Sequence, residues 1–445
     1  MNREQTLDRA QLRRELGGDT AAATVVASMI GSGIFTTSGF IARNVGSPWL
    51  LFGVWFAGGL ISITGALAYA ELGAAMPEAG GEYVYLREAY GPLIAYLSGW
   101  TSLFVGFSGA IAAGALAFVG YLHGFVPGFE TSATMDKVVA LLALWTIAAS
   151  HVYGIGTSSV LQRSLAATTV AAIVTLVGAG FLFGRGSVAN FASSAPINGS
   201  VAVSLILVLF AYSGWNAAAY VAGEIREPER NLPRALCGGA ALVTALYLAL
   251  NAMYTYALPI TAMSGVLAVA EKAATVLLGS HAARSVAAIL SVTILGSTSA
   301  MVLAGPRVYL AMARDRLLPG CIALVDRAHG TPARAILLQT AWASVLIIFF
   351  GTFEPLVIYT GLAVTGFTAA AVASVIVLRG RRADLRRPFT MRGYPWTAIA
   401  FVAVALWVIV FSSMVRPTEA ALSLLTVLAG VPFYFVWQSG REWFQ

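Results

Sequence analysis

The chain has 445 residues, of which 58% are hydrophobic and only 11% are charged. A soluble domain carries about 25% charged residues, and a disordered chain is poor in apolar residues, so both classes are excluded. Because a helix needs about 20 apolar residues to cross a bilayer, the composition suffices for about twelve membrane helices and leaves no room for a large soluble domain. The net charge of +7 does not indicate nucleic acid binding, because the basic residues lie in short loops.

The apolar residues form twelve continuous runs, which predict helices because barrel strands would alternate apolar and polar residues. Lys and Arg are concentrated in the loops on one side, and this bias predicts that both termini are cytoplasmic, as a cytoplasmic segment 1–18 and a tail 439–445. No cleaved signal peptide is expected. The runs are 19–43, 49–76, 91–122, 137–154, 159–184, 199–223, 233–257, 283–313, 333–351, 355–378, 395–415 and 418–438.

Two of these runs contain glycine and serine near their middle. Residues 29–35 read Met-Ile-Gly-Ser-Gly-Ile-Phe, and residues 210–216 read Phe-Ala-Tyr-Ser-Gly-Trp-Asn. Glycine costs about 1 kcal/mol relative to alanine within a helix, so both segments are expected to unwind. Unwound backbone is tolerated in a membrane where it lines a cavity, and its N–H and C=O groups would suit the two charges of an amino acid. The alternative is that the small residues merely allow close helix packing.

The positions of the two interruptions divide the chain into similar blocks. Runs one to five cover 19–184 and runs six to ten cover 199–378, and each block opens with an interrupted helix. Because five is odd, the blocks would have opposite topology, which is typical of inverted-repeat transporters with a site near the midplane. Helices 11 and 12, within 394–438, fall outside the repeat.

Five motifs, in chain order, resemble those of the amino acid–polyamine–organocation transporter family, most closely its neutral amino acid branch. The motifs are Ile30-Gly31-Ser32-Gly33-Ile34-Phe35; Tyr69-Ala70-Glu71-Leu72 with Pro77, Gly80-Gly81, Tyr83 and Tyr85; Phe210 to Asn216 with Glu224 and 228–233; Pro306-Arg307 with Met312, Arg314-Asp315 and Leu318-Pro319; and Arg387-Pro388-Phe389 with Gly393-Tyr394-Pro395. The resemblance implies an all-α, LeuT-type 5+5 inverted repeat with twelve helices, and secondary transport by alternating access.

The resemblance also implies the roles of particular residues. Phe210 would cap the bound substrate, Asn216 would support the unwound segment, and the backbone of both interruptions would bind the amino acid. The expected substrate-binding residues are Met29, Ile30, Gly31, Ser32, Gly33, Phe210, Ala211, Ser213, Gly214 and Trp215. In this reading Ser32 and Gly33 donate to the carboxylate, and the carbonyls of Met29, Phe210, Ala211 and Ser213 accept from the ammonium.

The coupling ion is open at this stage. Many relatives place a lysine in helix 5 where this chain has Thr169, so the coupling is in doubt and a proton or no ion is favoured over sodium. Ser297 and Thr298, with Thr169, would offer hydroxyls to sodium, or else satisfy carbonyls of their own helix. Glu71 and Glu224 would take part in proton coupling or pair with Arg307 or Arg314; the alternative is a solvated helix end. Ser108 and Tyr359 are further candidates for lining the pocket.

The two interrupted segments contain no charged residue, which favours a neutral substrate over a cationic amino acid or a polyamine. An exporter and a nontransporting amino acid sensor on the same scaffold are the alternatives. The four histidines and two cysteines are scattered, so neither an enzyme, nor a cofactor, nor a metal site is expected. Cys237 and Cys321 fall at or near the cytoplasmic side, so no disulfide-linked heavy chain is expected.

Overall fold

A computed structural model describes residues 16–77, 80–126, 132–153, 159–315, 317–319, 321–322, 324 and 331–441, with the backbone alone for 159–166, 311, 314 and 438–441. Within these ranges the regular elements are helices, and the single β contact is an isolated bridge between Leu16 and Ile225. The all-helical class expected from the continuous apolar runs is therefore observed.

The first half of the chain forms nine α-helices, with a π-helical segment, Ser102–Phe107, between the fifth and the sixth. These helices are α1 Gly18–Met29, α2 Ser32–Val45, α3 Pro48–Ala75, α4 Glu82–Tyr90, α5 Pro92–Thr101, α6 Ser108–Phe125, α7 Ala133–Val152, α8 Ser159–Phe183 and α9 Val201–Tyr212. The second half continues as α10 Ala217–Tyr220, α11 Pro228–Ala257, α12 Ile260–Met263, α13 Val269–Leu278, α14 Ser280–Arg314, α15 Ala333–Phe350, α16 Phe353–Arg381, α17 Trp396–Val415 and α18 Pro417–Arg441.

Nine helices of the described chain are long and apolar enough to cross a membrane, counting α5, the π segment and α6 as one helix. The pair α1 and α2, bent by 42° at their junction, would make a tenth span. The fifth and sixth predicted runs contribute the shorter apolar helices Ala167–Phe183 and Val201–Tyr212. The protein is a multi-pass membrane protein, and the count of twelve spans stays a prediction.

Three local features were not predicted from the apolar runs. Helix α4 lies between the second and third apolar runs, and its buried residues include Tyr83, Tyr85 and Leu86. Helix α13 likewise lies between runs seven and eight. The third run, predicted as a regular helix, contains the π-helical segment. A short amphipathic helix forms no long apolar run, and a π-helical turn leaves an apolar run unchanged, so the runs indicate neither.

The interrupted helices lie at the centre of the packing. Helix α1 packs against α11, α9 packs against α3, and α2 packs against α9. Around them, α3 packs against α11, α6 against α14, and α7 against α15. The two interruptions are therefore surrounded by helices from both halves of the chain.

Glu71, a predicted coupling residue, has a different environment from either alternative considered for it. Its carboxylate is 2% exposed and accepts hydrogen bonds from Nε and Nη2 of Arg379 at 2.9 and 2.7 Å. The backbone N–H of Met391 donates a third at 2.6 Å, and Arg387 lies 3.7 Å away. The expected solvated helix end and the expected pairing with Arg307 are thus wrong, because the C-terminal end of α16 and the segment after it cover this carboxylate.

Replacing Arg379 with alanine should destabilise the protein, because the buried Glu71 carboxylate would lose both hydrogen bonds from the guanidinium group. Loss of charge-assisted hydrogen bonds of this kind costs about 2 to 3 kcal/mol. Thermal unfolding in detergent measures the effect. Arg382→Ala is the matched control, since the Arg382 side chain is 49% exposed and its ion pairs are 3.5 Å long. Equal unfolding temperatures for the two variants would contradict this assignment.

Candidate functional site

The first interruption separates α1 from α2 at the predicted position. Helix α1 ends at Met29, Ile30 still donates to the carbonyl of Val26, and α2 begins at Ser32. Between them Gly31 is extended, with φ −132° and ψ −155°, and no side chain in the described structure caps the start of α2. The first N–H groups of a helix have no partner within it, so this end of α2 offers donors to an anion.

The second interruption separates α9 from α10, again at the predicted position. Helix α9 ends at Tyr212, residues 213–216 form turns, and helical structure resumes at Ala217. Gly214 has φ +98°, a conformation that glycine adopts readily and other residues rarely adopt. The glycine at this position therefore allows the chain to turn within the apolar surroundings.

The two interrupted helices touch each other backbone to backbone at two points. A Cβ atom on Gly33 would lie 2.4 Å from Cα of Ala211, and a Cβ atom on Gly214 would lie 2.4 Å from the carbonyl oxygen of Ser28. Neither distance leaves room for a side chain. The glycines of the two motifs thus have a second role beyond unwinding, because each lets its helix approach the other.

Tyr247 of α11 links the two interruptions. Its hydroxyl oxygen lies 2.7 Å from the carbonyl oxygen of Met29 and 3.0 Å from that of Ala211, and its side chain is fully buried. The hydroxyl has one proton, which the two carbonyls share. These carbonyls were expected to receive the substrate ammonium, whereas here they accept from Tyr247. Tyr247 is not among the predicted residues, because a tyrosine in a long apolar run carries no distinguishing signal.

A cavity of about 490 Å³ lies beside the second interruption. This volume is in the range of small-molecule sites. Of the predicted residues, the cavity is lined by Phe210, Ser213, Gly214, Trp215, Asn216, Ser297 and Glu224. The remaining predicted binding and coupling residues are not part of its lining, namely Met29, Ile30, Gly31, Ser32, Gly33, Ala211, Thr169, Thr298 and Glu71. The first interruption is nevertheless adjacent, because a Cβ atom on Gly31 would lie 3.3 Å from Oγ of Ser297.

Charged residues from other elements line the cavity. Glu82 of α4, Glu224 and Arg307 are part of its wall, although the interrupted segments themselves are uncharged. The absence of charge holds for the interrupted segments, for which it was noted, and does not extend to the rest of the cavity wall. The sequence did not indicate Glu82, because α4 was not recognised as an element that packs back onto the membrane helices.

The cavity is closed on one side by aromatic rings. Phe210 contacts Phe353 edge to face at 6.0 Å between ring centroids, and Phe353 stacks on Phe40 at 6.1 Å. Beyond this aromatic column, Arg43 and Arg416 share the carboxylate of Glu354. A second, polar cavity of about 430 Å³ lies there, lined by these three charged residues, among others.

The opposite end of the cavity reaches the surface. Arg307, which lines it there, is exposed, and Glu224, also in its wall, accepts a hydrogen bond at its backbone carbonyl from the N–H of Leu16. The opening is therefore on the side of the membrane where α1 begins, termed here the N-terminal side. The cavity thus reaches the surface on the N-terminal side, and the column of Phe210, Phe353 and Phe40 lies at its other end.

Trp215 and Asn216 line the cavity and also pack against protein. The indole ring of Trp215 meets the ring of Tyr69 edge to face at 4.8 Å and is 7% exposed. The side-chain amide of Asn216 donates to the hydroxyl of Tyr220 at 3.4 Å. Trp215, predicted to bind the substrate, is therefore at the cavity wall and also held by protein packing. Asn216 stabilises the chain just after the second interruption.

The hydroxyls considered for sodium are engaged within the protein. Ser297 and Thr298 both donate to the carbonyl of Ile294 on their own helix, at 3.0 and 2.8 Å. Thr169 lies 3.4 Å from the hydroxyl of Thr293. This is the second of the two alternatives left open by the sequence, in which the hydroxyls satisfy helix carbonyls and pack closely.

Two further candidates lie outside the cavity. Ser108 donates to the carbonyl of Leu103 in the π-helical segment, and Tyr359 lies 3.1 Å from the hydroxyl of Thr426. Neither is part of the cavity wall. The expectation that they line the pocket is wrong for this conformation. Ser108 is hydrogen-bonded to the adjoining π-helical segment, and Tyr359 is hydrogen-bonded to α18.

Comparison with known proteins gives the family. Residues 16–433 match the model of the family described as amino acid permease. The chain belongs to the amino acid permease family. It is 31% identical to Large neutral amino acids transporter small subunit 2 of Oryctolagus cuniculus, over 96% of this chain and 81% of the relative.

Two other relatives have similar coverage. Serine/threonine exchanger SteT of Bacillus subtilis is 28% identical, over 95% of this chain and 97% of its own length. b(0,+)-type amino acid transporter 1 of Mus musculus is 29% identical, over 97% and 89%. The permease is thus an amino acid transporter of the amino acid–polyamine–organocation family, and its named relatives are transporters rather than enzymes.

Removing the Tyr247 hydroxyl should weaken the contact between the two interruptions. Tyr247→Phe leaves two buried carbonyls without their donor, and we expect a loss of about 1 to 2 kcal/mol in stability. Tyr254→Phe is the matched control on the same helix, because the Tyr254 hydroxyl is buried and has no hydrogen-bond partner within the described residues. Thermal unfolding in detergent compares them. If Tyr254→Phe were the more destabilised variant, the bridging role of Tyr247 would be wrong.

Proposed function

We propose that this permease is a secondary transporter of neutral L-amino acids, working by alternating access as an exchanger or a proton-coupled symporter. The observation that carries the proposal is the crossing of the two interrupted helices beside a cavity open to one side. In such a site the free N–H groups at the start of α2 would bind the substrate carboxylate. Carbonyls around residues 210–213 would accept from its ammonium.

The packing supports two inverted repeats, 19–184 and 199–378, with helices 11 and 12 outside them. The contacts come in corresponding pairs. Helix α1 packs against α11 as α9 packs against α3, and α1 packs against α8 as α9 packs against α16. Helices that occupy matching positions in the two halves, α3 with α11, also contact each other. A pseudo-twofold relation between the two repeats would explain why each of these helix contacts has a counterpart in the other repeat.

Alternating access would open the blocked side and close the open one. The aromatic column Phe210, Phe353 and Phe40 and the ion cluster around Glu354 would separate, and the N-terminal end of the cavity would close. The bias of Lys and Arg supports a cytoplasmic location for the N-terminal side, in the cell membrane. In that orientation the conformation described above is open to the cytoplasm.

A neutral substrate is favoured by the uncharged interruptions, and the names of two relatives, a large neutral amino acids transporter and a serine/threonine exchanger, agree with it. The second candidate is transport of cationic amino acids or polyamines. Glu82 and Glu224 in the cavity wall favour it, because a carboxylate would stabilise a distal ammonium or guanidinium group.

The proposal does not include a disulfide-linked partner. The first named relative is called a small subunit, and that name implies a larger companion for the relative. In this chain Cys237 is half-buried in the first turns of α11, and Cys321 is exposed. Both lie toward the N-terminal side. This sequence therefore has no cysteine that could form a disulfide on the opposite side of the membrane.

Counterflow in proteoliposomes tests the function directly. Vesicles loaded with one unlabelled amino acid should accumulate the same labelled amino acid, and a screen of all twenty should give the largest signals with neutral side chains. Sodium and pH gradients are varied separately to identify the coupling ion. Largest signals with arginine or lysine would favour the second candidate. Absence of counterflow with any amino acid would contradict transport altogether.

Phe210→Ala should reduce uptake about tenfold or more, which corresponds to about 1.4 kcal/mol of lost interaction. The aromatic ring separates the cavity from the opposite side, and its loss leaves the substrate uncovered there. Phe349→Ala is the control, because this phenylalanine is 65% exposed on the lipid-facing side of α15. Uptake of labelled amino acid is normalised to the amount of reconstituted protein. Wild-type uptake by Phe210→Ala would refute the gate assignment.

A further inference from the structure

Glu82 is the first residue of α4 and follows two glycines with positive φ angles, +133° at Gly80 and +53° at Gly81. This turn brings the start of α4 back against the membrane helices, where a Cβ atom on Gly81 would lie 2.8 Å from the ring of Tyr220. The carboxylate of Glu82 forms part of the cavity wall. Its position is thus fixed by close packing, although α4 is too short to span a membrane.

The partners of this carboxylate are hydroxyl groups. The Tyr69 hydroxyl donates to Oε2 of Glu82 at 2.7 Å, and Oγ of Ser98 lies 3.5 Å from Oε1. Among the residues that the structure describes, no Lys or Arg forms an ion pair with Glu82. On the same side of the protein, Glu71, Glu88 and Asp315 each have an arginine partner.

Such surroundings allow both protonation states. Burial raises the pKa of the Glu82 carboxyl, because the charged form loses solvation without gaining a cation, while the hydrogen bonds from Tyr69 and Ser98 act in the opposite direction. A hydroxyl both donates and accepts. When the carboxylate takes up a proton, Ser98 can turn its hydroxyl to accept from the new acid proton, and Tyr69 continues to donate to the other oxygen.

The same carboxylate is connected to the second interruption. Tyr69, its donor, contacts the ring of Trp215 edge to face at 4.8 Å, and Trp215 directly follows Gly214. Tyr220, packed on Gly81, is hydrogen-bonded to Asn216. A change in the charge of Glu82 can therefore be transmitted to Trp215 through Tyr69, and to Asn216 through Tyr220.

We propose that Glu82 is the proton-binding site through which this transporter couples amino acid movement to a pH gradient. The inference rests on the proposed function, since it assigns a coupling group to the same cavity. One proton binds the Glu82 carboxylate to give the neutral acid, and the proton is released when the cavity opens to the side of higher pH. Glu71, the coupling candidate from the sequence, has its oxygens occupied by Arg379 and Met391.

Few other titratable groups near Glu82 could bind the coupling proton in its place. The phenols of Tyr69, Tyr85 and Tyr220 surround it, and phenols have an ordinary pKa near 10. Across the cavity, Glu224 and Arg307 are the other charged groups in the wall. Glu224 is the other carboxylate in the wall, so the test must separate it from Glu82.

The test uses purified full-length protein in proteoliposomes with an alkaline interior. If one proton accompanies each substrate, a gradient of one pH unit supports about tenfold accumulation of a labelled neutral amino acid. Glu82→Gln should lose this accumulation. Its thermal stability should equal or exceed that of wild type, because glutamine removes an unpaired carboxylate. Counterflow at equal pH shows whether the variant still transports.

Glu88→Gln is the matched control, since Glu88 lies on the same helix, is exposed, and pairs with arginines outside the cavity. It should accumulate substrate like wild type. The proposal is overturned if Glu82→Gln retains the pH-driven accumulation, if Glu224→Gln loses it while Glu82→Gln does not, or if wild type performs counterflow without responding to pH. Loss of arginine and lysine uptake alone in Glu82→Gln would instead make it a substrate-binding carboxylate. Absence of wild-type counterflow would refute the proposed function itself.

Discussion

In a chain surrounded by lipid, each backbone N–H and C=O must find a partner inside the protein. The two interrupted helices leave such groups without helical partners, and contacts between the two interruptions provide part of the replacement. Each interruption places its glycine against the backbone of the other helix, Gly33 against Ala211 and Gly214 against Ser28. Tyr247 then supplies one proton to carbonyls of both helices. The donors at the start of α2 have no side-chain cap, so the compensation at the first interruption is incomplete.

The charged clusters at the two ends of the molecule differ in burial, and this difference bears on movement. The cluster of Arg43, Arg416 and Glu354 is partly open, with about a third of each arginine side chain exposed. The Glu354 side chain is 10% exposed and lines a polar cavity together with both arginines, so water can replace an arginine that moves away. The Glu71 and Arg379 pair has a carboxylate that is 2% exposed, and breaking it would leave a buried charge. The first cluster is therefore suited to a gate, whereas the second is suited to holding α3 and α16 together.

The apolar runs and the two glycine-serine segments predicted the helical class and both interruptions, because a membrane imposes strong constraints on composition and backbone. The sequence predicted less about the cavity wall. Residues of the second interruption line it, as expected, whereas those from Met29 to Gly33 do not; the Met29 carbonyl faces Tyr247 and Gly33 packs on α9. Tertiary packing decides which side of an interrupted segment faces the cavity. Tyr247 and the short helix α4 take part in this packing, but neither produces a periodic pattern in the sequence.

One of the three charged residues in the cavity wall, Glu82, comes from α4, an element that the apolar runs do not contain. A carboxylate without a cationic partner in low-dielectric surroundings is costly, and glutamine at the same position would avoid that cost. Its two hydroxyl partners satisfy either protonation state, so the site tolerates a change of charge. If the amino acid and the proton share one cavity, each must alter the other's affinity by the same factor. A proton on Glu82 removes a negative charge from the cavity into which the substrate carboxylate enters, and binding of the two is then mutually favourable.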